Sequence, residues 1–221
     1  FEISVKNLST ILDQVNHRYI NKIIYTSSAS IYGSVNEYTL LGDPKNRLLY
    51  SSTKILNEIL LNNYCQKNKV QLIISRVFNM YGPHENFSII HKIIESIKNK
   101  KKIVIFNKGD SIRDFIHVDD ICEIYKKFLK LNKSAIYDVG SGKGTKIKDI
   151  LNFLELENNK IIYKNNKINE VNYSIADTTK IKEDLKKNKF ISIENFLLKT
   201  VKRKPKNKIL NQINKKTPNT I

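Results

Sequence analysis

The sequence predicts an α/β fold with a parallel sheet. Short apolar runs alternate along it with amphipathic helical stretches. The first of these runs ends in hydroxyl residues, as buried parallel strands do where they meet a ligand. Forty per cent of its 221 residues are hydrophobic, enough to build a core.

Each element follows from its pattern. Ile3, Val5, Leu8, Ile11, Leu12 and Val15 fall on one side of a helix over residues 3–18. Ile23 to Ser28 reads as a buried parallel strand. Gly33, Gly42 and Pro44 make residues 33–49 a loop. A long helix runs from Tyr50 to about Lys67, with Ile55, Leu56, Ile59, Leu60 and Tyr64 on one side. Val70 to Arg76 is the next strand, and Gly82-Pro83 breaks the chain after it. A helix over 88–99 and a short strand from Ile103 to Phe106 follow. Asp119 and Asp120 stand at the N-cap of a helix through Ile121, Ile124, Tyr125 and Phe128. The last clear strand, Ala135 to Val139, leads into Gly140–Thr145. Small helices and a short strand complete the chain.

Composition narrows the function. No apolar run approaches the length of a membrane span. Cys65 and Cys122 lie far apart with no CxxC pattern, which suits a reducing compartment and suggests no metal site. The net charge of +18 spreads along a chain rich in Lys, Asn and Ile, with one local concentration at the end. From Lys199 onward there are eight Lys or Arg and no acid. This tail reads as a solvated end, the alternative being a nucleic-acid arm. Aromatic-basic interleaving is missing, which argues against a nucleic-acid module.

The chemical signal is Tyr50-Ser51-Ser52-Thr53-Lys54. On a helix Tyr50 and Lys54 share one face. A phenol with a pKa near ~10 is a poor base at neutrality, and a nearby ammonium favours its phenolate. Such a group can exchange a proton with a sugar hydroxyl. By itself the spacing is weak, since a surface lysine one turn from a tyrosine is common.

Context strengthens it. Tyr25-Thr26-Ser27-Ser28-Ala29-Ser30-Ile31-Tyr32-Gly33 lies upstream. Arg76-Val77-Phe78-Asn79-Met80-Tyr81-Gly82-Pro83 and Arg113-Asp114-Phe115-Ile116-His117-Val118-Asp119-Asp120 lie downstream. These four ordered segments resemble the extended short-chain dehydrogenase/reductase family of NAD-dependent nucleotide-sugar epimerases, dehydratases and reductases. The resemblance runs from Phe1 to about Ile193. It implies an incomplete Rossmann-like doubly wound sheet with a small C-terminal α+β substrate-binding region. Residues 1–82 would complete the NAD(P)-binding domain. Residues 83–198 would mainly bind substrate and return one or two strands to the sheet, and 199–221 would be the tail.

The resemblance also implies roles. Ser28 matches the catalytic hydroxyl, Tyr50 the acid/base, and Lys54 the lysine that holds the nicotinamide ribose. Ser27 and Phe78 fall beside the cofactor. Asn79 and Arg113 match residues that contact the substrate diphosphate, for which a guanidinium is the best fork. Phe106 matches a position near the nucleotide base. Each has a plainer reading. Ser28 could cap a turn, Asn79 could be a turn residue, Arg113 could pair with Asp110 or Asp114, and Phe106 could be core. His117, Asp119 and Asp120 look like metal ligands in isolation, but the resemblance implies helix capping and no metal. Gly140–Thr145 lacks the Walker spacing and reads as a strand-to-helix turn.

Two departures bear on the reaction. Lys167-Ile168-Asn169-Glu170-Val171 stands where many relatives have Arg-Pro-Gly-Glu-Val, so the nucleotide stays open; Ala176-Asp177-Thr178-Thr179-Lys180 still matches the stretch that follows. Sugar 4,6-dehydratases carry an acidic residue two positions past the catalytic hydroxyl, where this chain has Ser30. The expectation is therefore a 4-epimerase using NAD, with NADP possible, or a 4-keto-sugar reductase. The substrate would be a nucleotide-diphosphate sugar and the intact protein a cytoplasmic homodimer, with neither nucleic acid nor membrane as partner. The glycine-rich cofactor loop is absent from these residues, so it is expected upstream of Phe1. The chain alone is then expected to be inactive. An inactive relative is the alternative of a different class.

Overall fold

The computed structural model of the chain describes residues 2–33, 49–164 and 172–201. Most of the loop expected over 33–49, the Lys167–Val171 stretch and the tail beyond Val201 lie outside the described residues. The chain runs α1 (Glu2–Gln14), β1 (Lys22–Ser28), α2 (Leu49–Asn68), β2 (Gln71–Val77), β3 (Asn79–Tyr81), α3 (Ile89–Lys98), β4 (Ile103–Phe106) and β5 (Ile112–His117). It continues through α4 (Val118–Lys130), β6 (Ala135–Val139), β7 (Gly144–Lys146), α5 (Ile147–Phe153), β8 (Ile161–Lys164), β9 (Tyr173–Ser174), α6 (Thr179–Leu185) and α7 (Ile193–Val201).

The main sheet is parallel, in the order β1-β2-β6. Its side chains alternate between two apolar layers, as a pleated strand requires. Ile23, Tyr25, Leu72 and Ile74 pack with Leu8 and Leu12 of α1 and Leu61 and Cys65 of α2. Ile24, Ile73, Tyr137 and Val139 pack the other way, onto Ile121, Ile124 and Phe128 of α4 and Ile181 and Leu185 of α6. Helices therefore cover both faces, and the sheet is doubly wound.

A second unit centres on β5. It pairs in parallel with β3 and β9 and antiparallel with β7. A separate parallel pair joins β4 to β8. Tyr81, Ile90, Ile93, Ile103, Phe115, Leu151 and Leu197 form the core of this half. Because β6 and α6 return to the main sheet, the two halves interleave along the chain.

Several expectations need correction. The first helix ends at Gln14 rather than near residue 18, because Asn16 accepts the Arg18 N–H and starts a 3-10 turn. The helix after β5 is capped by His117, not by Asp119 or Asp120. Its Nδ1 accepts the Asp119 N–H at 3.1 Å. Both aspartates fall in the first turn, where the helix dipole favours them. Gly140–Thr145 is more than a turn, since Gly144–Lys146 forms β7. The Ser141 and Gly142 amides, which could have bound phosphate, both donate to Asp114 at 2.8 Å.

Candidate active site

A cavity of about 620 Å³ opens where β1 and β2 end. That is where open α/β sheets bind ligands. One wall comes from Thr26, Ser27 and Ser28 of β1, Val77 of β2, and Tyr50 in the first turn of α2. The opposite wall comes from Phe106 of β4, Arg113 of β5 and Ser111 just before it. Phe78, Asn79 and Met80 form the floor between them. Seven of the eight residues singled out from the sequence line this space: Ser27, Ser28, Tyr50, Phe78, Asn79, Phe106 and Arg113.

Lys54, the eighth, stands behind Tyr50. Its ammonium donates to the Thr26 carbonyl at 2.8 Å. The ammonium lies 5.1 Å from the Tyr25 ring centroid and 5.7 Å from that of Tyr50. Burial pulls Lys54 below the usual lysine value, and the Glu58 carboxylate one turn on pushes back. Burial raises the neighbouring Tyr25 phenol, against a hydrogen bond from Asn57.

Ser28 meets both of its readings. Its Oγ accepts the Ser30 N–H at 3.2 Å and caps the turn Ala29–Tyr32, yet the residue faces the cavity. Ser27 is buried, and its hydroxyl donates to Glu58 at 2.5 Å. Asn79 is not a turn residue. It lies in β3 opposite Phe115, and its Nδ2 donates to the Asp114 carbonyl at 3.0 Å. Phe106 is 45% exposed at the end of β4, so it is not core. Arg113 donates to the Ile112 carbonyl at 3.0 Å. Asp110 pairs with Lys148, and Asp114 accepts from Ser141, Gly142 and Ala176.

Sequence reasoning missed a polar group behind the β1 wall. Glu58 accepts from Arg76 Nε at 3.2 Å and Nη2 at 2.7 Å. Arg76 Nη1 in turn donates to the Tyr32 oxygen at 3.0 Å, and Tyr32 donates to Asp138 at 2.5 Å. Burial works against the Arg76 charge, but its bonds to Glu58 and Tyr32 raise its pKa overall. Burial, then the bond to Asp138, pushes the Tyr32 phenol up to about 12. Two signals were available. Tyr50, Lys54 and Glu58 repeat every four residues on one helix face, and a charged Arg76 ending an apolar strand needs a partner.

The residues present suit the nicotinamide-ribose end of a dinucleotide. Tyr50 and Lys54 bring a phenol and an ammonium to one helix face beside the strand end. Among the described residues, no cluster of His, Cys, Asp and Glu could hold a metal ion. No described helix is long and apolar enough to cross a membrane.

Comparison with known proteins identifies the family and the fold. The profile of the NAD dependent epimerase/dehydratase family matches residues 1–140. The chain is 33% identical over 146 residues to ADP-L-glycero-D-manno-heptose-6-epimerase of Brachyspira hyodysenteriae, covering 61% of this chain and 46% of that one. It thus spans about half the length of that relative. Among solved structures, UDP-glucuronic acid 4-epimerase from Bacillus cereus, in complex with UDP-glucuronic acid and NAD, superposes with a TM-score of 0.74 at 22% identity. That match covers 90% of this chain and 65% of the other. The dTDP-glucose 4,6-dehydratase from Bacillus anthracis, in complex with NAD, gives 0.73 at 20% identity, with the same shares. At these identities the two structures establish the fold.

Proposed function

The chain belongs to the NAD dependent epimerase/dehydratase family, and from that premise we propose that it carries the catalytic residues of a nucleotide-sugar 4-epimerase. One observation carries the reading. Ser28 and Tyr50, backed by Lys54, share a single cavity with Asn79 and Arg113. A proton-transfer group and a diphosphate anchor thus face the same space.

In this reading residues 1–82 complete the cofactor domain and 83–198 mainly hold the substrate. Arg113 and Asn79 anchor the diphosphate, and Phe106 lies against the base. Ser28 orients the sugar 4-hydroxyl through the hydrogen that its capping bond leaves free. Tyr50 takes the proton from that hydroxyl. For this Tyr50 must be the tyrosinate, and the Lys54 ammonium favours that form before the proton arrives. NAD, when bound, supplies the hydride acceptor and donor. The 4-keto sugar turns over, so that hydride would return to the other face of the carbon, while Tyr50 gives the proton back to the sugar oxygen. The turn after Ser28 carries Ser30 and no carboxylate, so it offers no group to expel water as a 4,6-dehydratase does.

The test is to incubate the active protein with UDP-hexoses and NAD and to follow the sugar by NMR. The expected result is a 4-epimer with no net nicotinamide reduction. A 6-deoxy-4-keto product, or steady consumption of NADPH with a 4-keto sugar, would contradict the 4-epimerase reading.

A further inference from the structure

Ser28 lies on a short turn whose two ends are tied to the same ion pair. At one end, Ser27 donates its hydroxyl proton to Glu58. At the other, Tyr32 accepts from Arg76 at 3.0 Å. Glu58 and Arg76 join through two parallel hydrogen bonds, with side chains 9% and 20% exposed. The chain of contacts ends on Asp138 of β6, reached by the Tyr32 hydroxyl. Tyr32 also lies 6.5 Å, ring to ring, from Phe78 at the base of the cavity.

Glu58 belongs to α2, the helix that carries Tyr50 and Lys54. Arg76 belongs to β2, and Ser27 to β1. One carboxylate therefore links the tyrosine helix, the serine strand and the strand between them and β6. We propose that the Glu58–Arg76 pair, with Tyr32, is a positioning clamp that fixes Ser28 against Tyr50.

The physical reasons are specific. Burying an ion pair adds little net stability, so a pair retained here has to be explained by geometry. A two-pronged guanidinium–carboxylate contact fixes direction as well as distance. The third nitrogen of Arg76 extends that fixed direction to Tyr32, which a lysine cannot do. Errors of about 1 Å in placing reacting groups cost on the order of 100-fold in rate. A clamp that holds both ends of a turn of four residues is suited to prevent such errors.

The inference rests on the proposed function, and its test separates the two. Tyr32→Phe, Arg76→Lys and Tyr50→Phe are compared in the active protein. Tyr32→Phe leaves the two Glu58–Arg76 hydrogen bonds intact and removes the Tyr32 bonds to Arg76 and Asp138. The expected result for Tyr32→Phe and for Arg76→Lys is a fall in kcat of about 10- to 100-fold. Neither variant should shift KM by more than about twofold, and Tyr32→Phe should stay fully folded at the assay temperature. If both keep wild-type kcat while Tyr50→Phe is inactive, the clamp is wrong and the function stands. If kcat falls only in step with the loss of folded protein, the pair is structural and the proposal is overturned. If Tyr50→Phe itself keeps its turnover, the functional reading fails and the clamp falls with it.

Discussion

Behind the β1–α2 wall of the cavity a buried carboxylate, Glu58, is held by side chains, whereas on β5 the buried Asp114 is held largely by main chain. Glu58 takes its bonds from Ser27 and Arg76. Asp114 accepts the amides of Ser141 at 2.8 Å, Gly142 at 2.8 Å and Ala176 at 3.1 Å, plus the Ser141 hydroxyl at 2.6 Å. Its side chain approaches so closely that a Cβ at Gly140 would stand 2.6 Å from Oδ2. The two carboxylates therefore do different jobs. Glu58 joins the Ser27 hydroxyl of β1 to the Arg76 guanidinium of β2. Asp114 ties the turn after β6 and the segment before α6 to β5, and so builds the wall that carries Arg113.

This contrast can be broken first at Asp114. Asp114→Ala would take the acceptor from the buried Ala176 amide and from the part-buried Ser141 and Gly142 amides and Ser141 hydroxyl, a buried amide being worth about 1–3 kcal/mol. Denaturant titration should show a loss of at least about 3 kcal/mol. A loss below about 1 kcal/mol would mean that the amides find other partners and that the wall does not depend on Asp114.

Arg113 sharpens the comparison, because it sits on the wall assigned to binding. Arg113→Ala should weaken nucleotide-sugar binding by roughly 2–3 kcal/mol, the size of a lost charged hydrogen-bond contact. Calorimetry with the unphosphorylated sugar should show no change. Equal effects on both ligands would remove the diphosphate assignment.

A smaller effect is expected at the rim. Ser88 caps α3 by accepting the His91 N–H at 3.0 Å. Ser88→Ala should cost about 1 kcal/mol in thermal or denaturant unfolding. A change indistinguishable from zero would show that the Glu85 carboxylate, which accepts the Phe87 and Ser88 amides, holds that turn alone.

The same contrast explains what could be read from sequence. The β1 wall was legible because its signals are local. Ser28 ends an apolar run, and Tyr50 and Lys54 lie one helical turn apart. The β5 strand was not, because Ile112–His117 mixes apolar residues with Arg113, Asp114 and His117. A fully buried Asp114 is acceptable there only because distant amides reach it, at positions 141, 142 and 176. No window of sequence contains that condition. The cap fell to His117, although the sequence placed Asp119 and Asp120 there because those two are better N-cap residues by type. Asp120 is instead drawn into the fold, paired with the buried Lys187 at 2.8 Å. Glu58 was hidden because α2 buries Ser51, Thr53 and Asn57 along with it and exposes Ile59, so polarity does not mark its buried face.

The central claim is that Tyr50 performs proton transfer at this cavity. Tyr50→Phe removes one hydroxyl and leaves Lys54, Ser28 and the β5 wall in place. Steady-state kinetics on the active protein, with calorimetry for nucleotide-sugar binding, tests it directly. The account predicts that kcat falls by at least about 100-fold while affinity changes by less than about twofold. A variant that keeps most of its turnover would contradict the assignment.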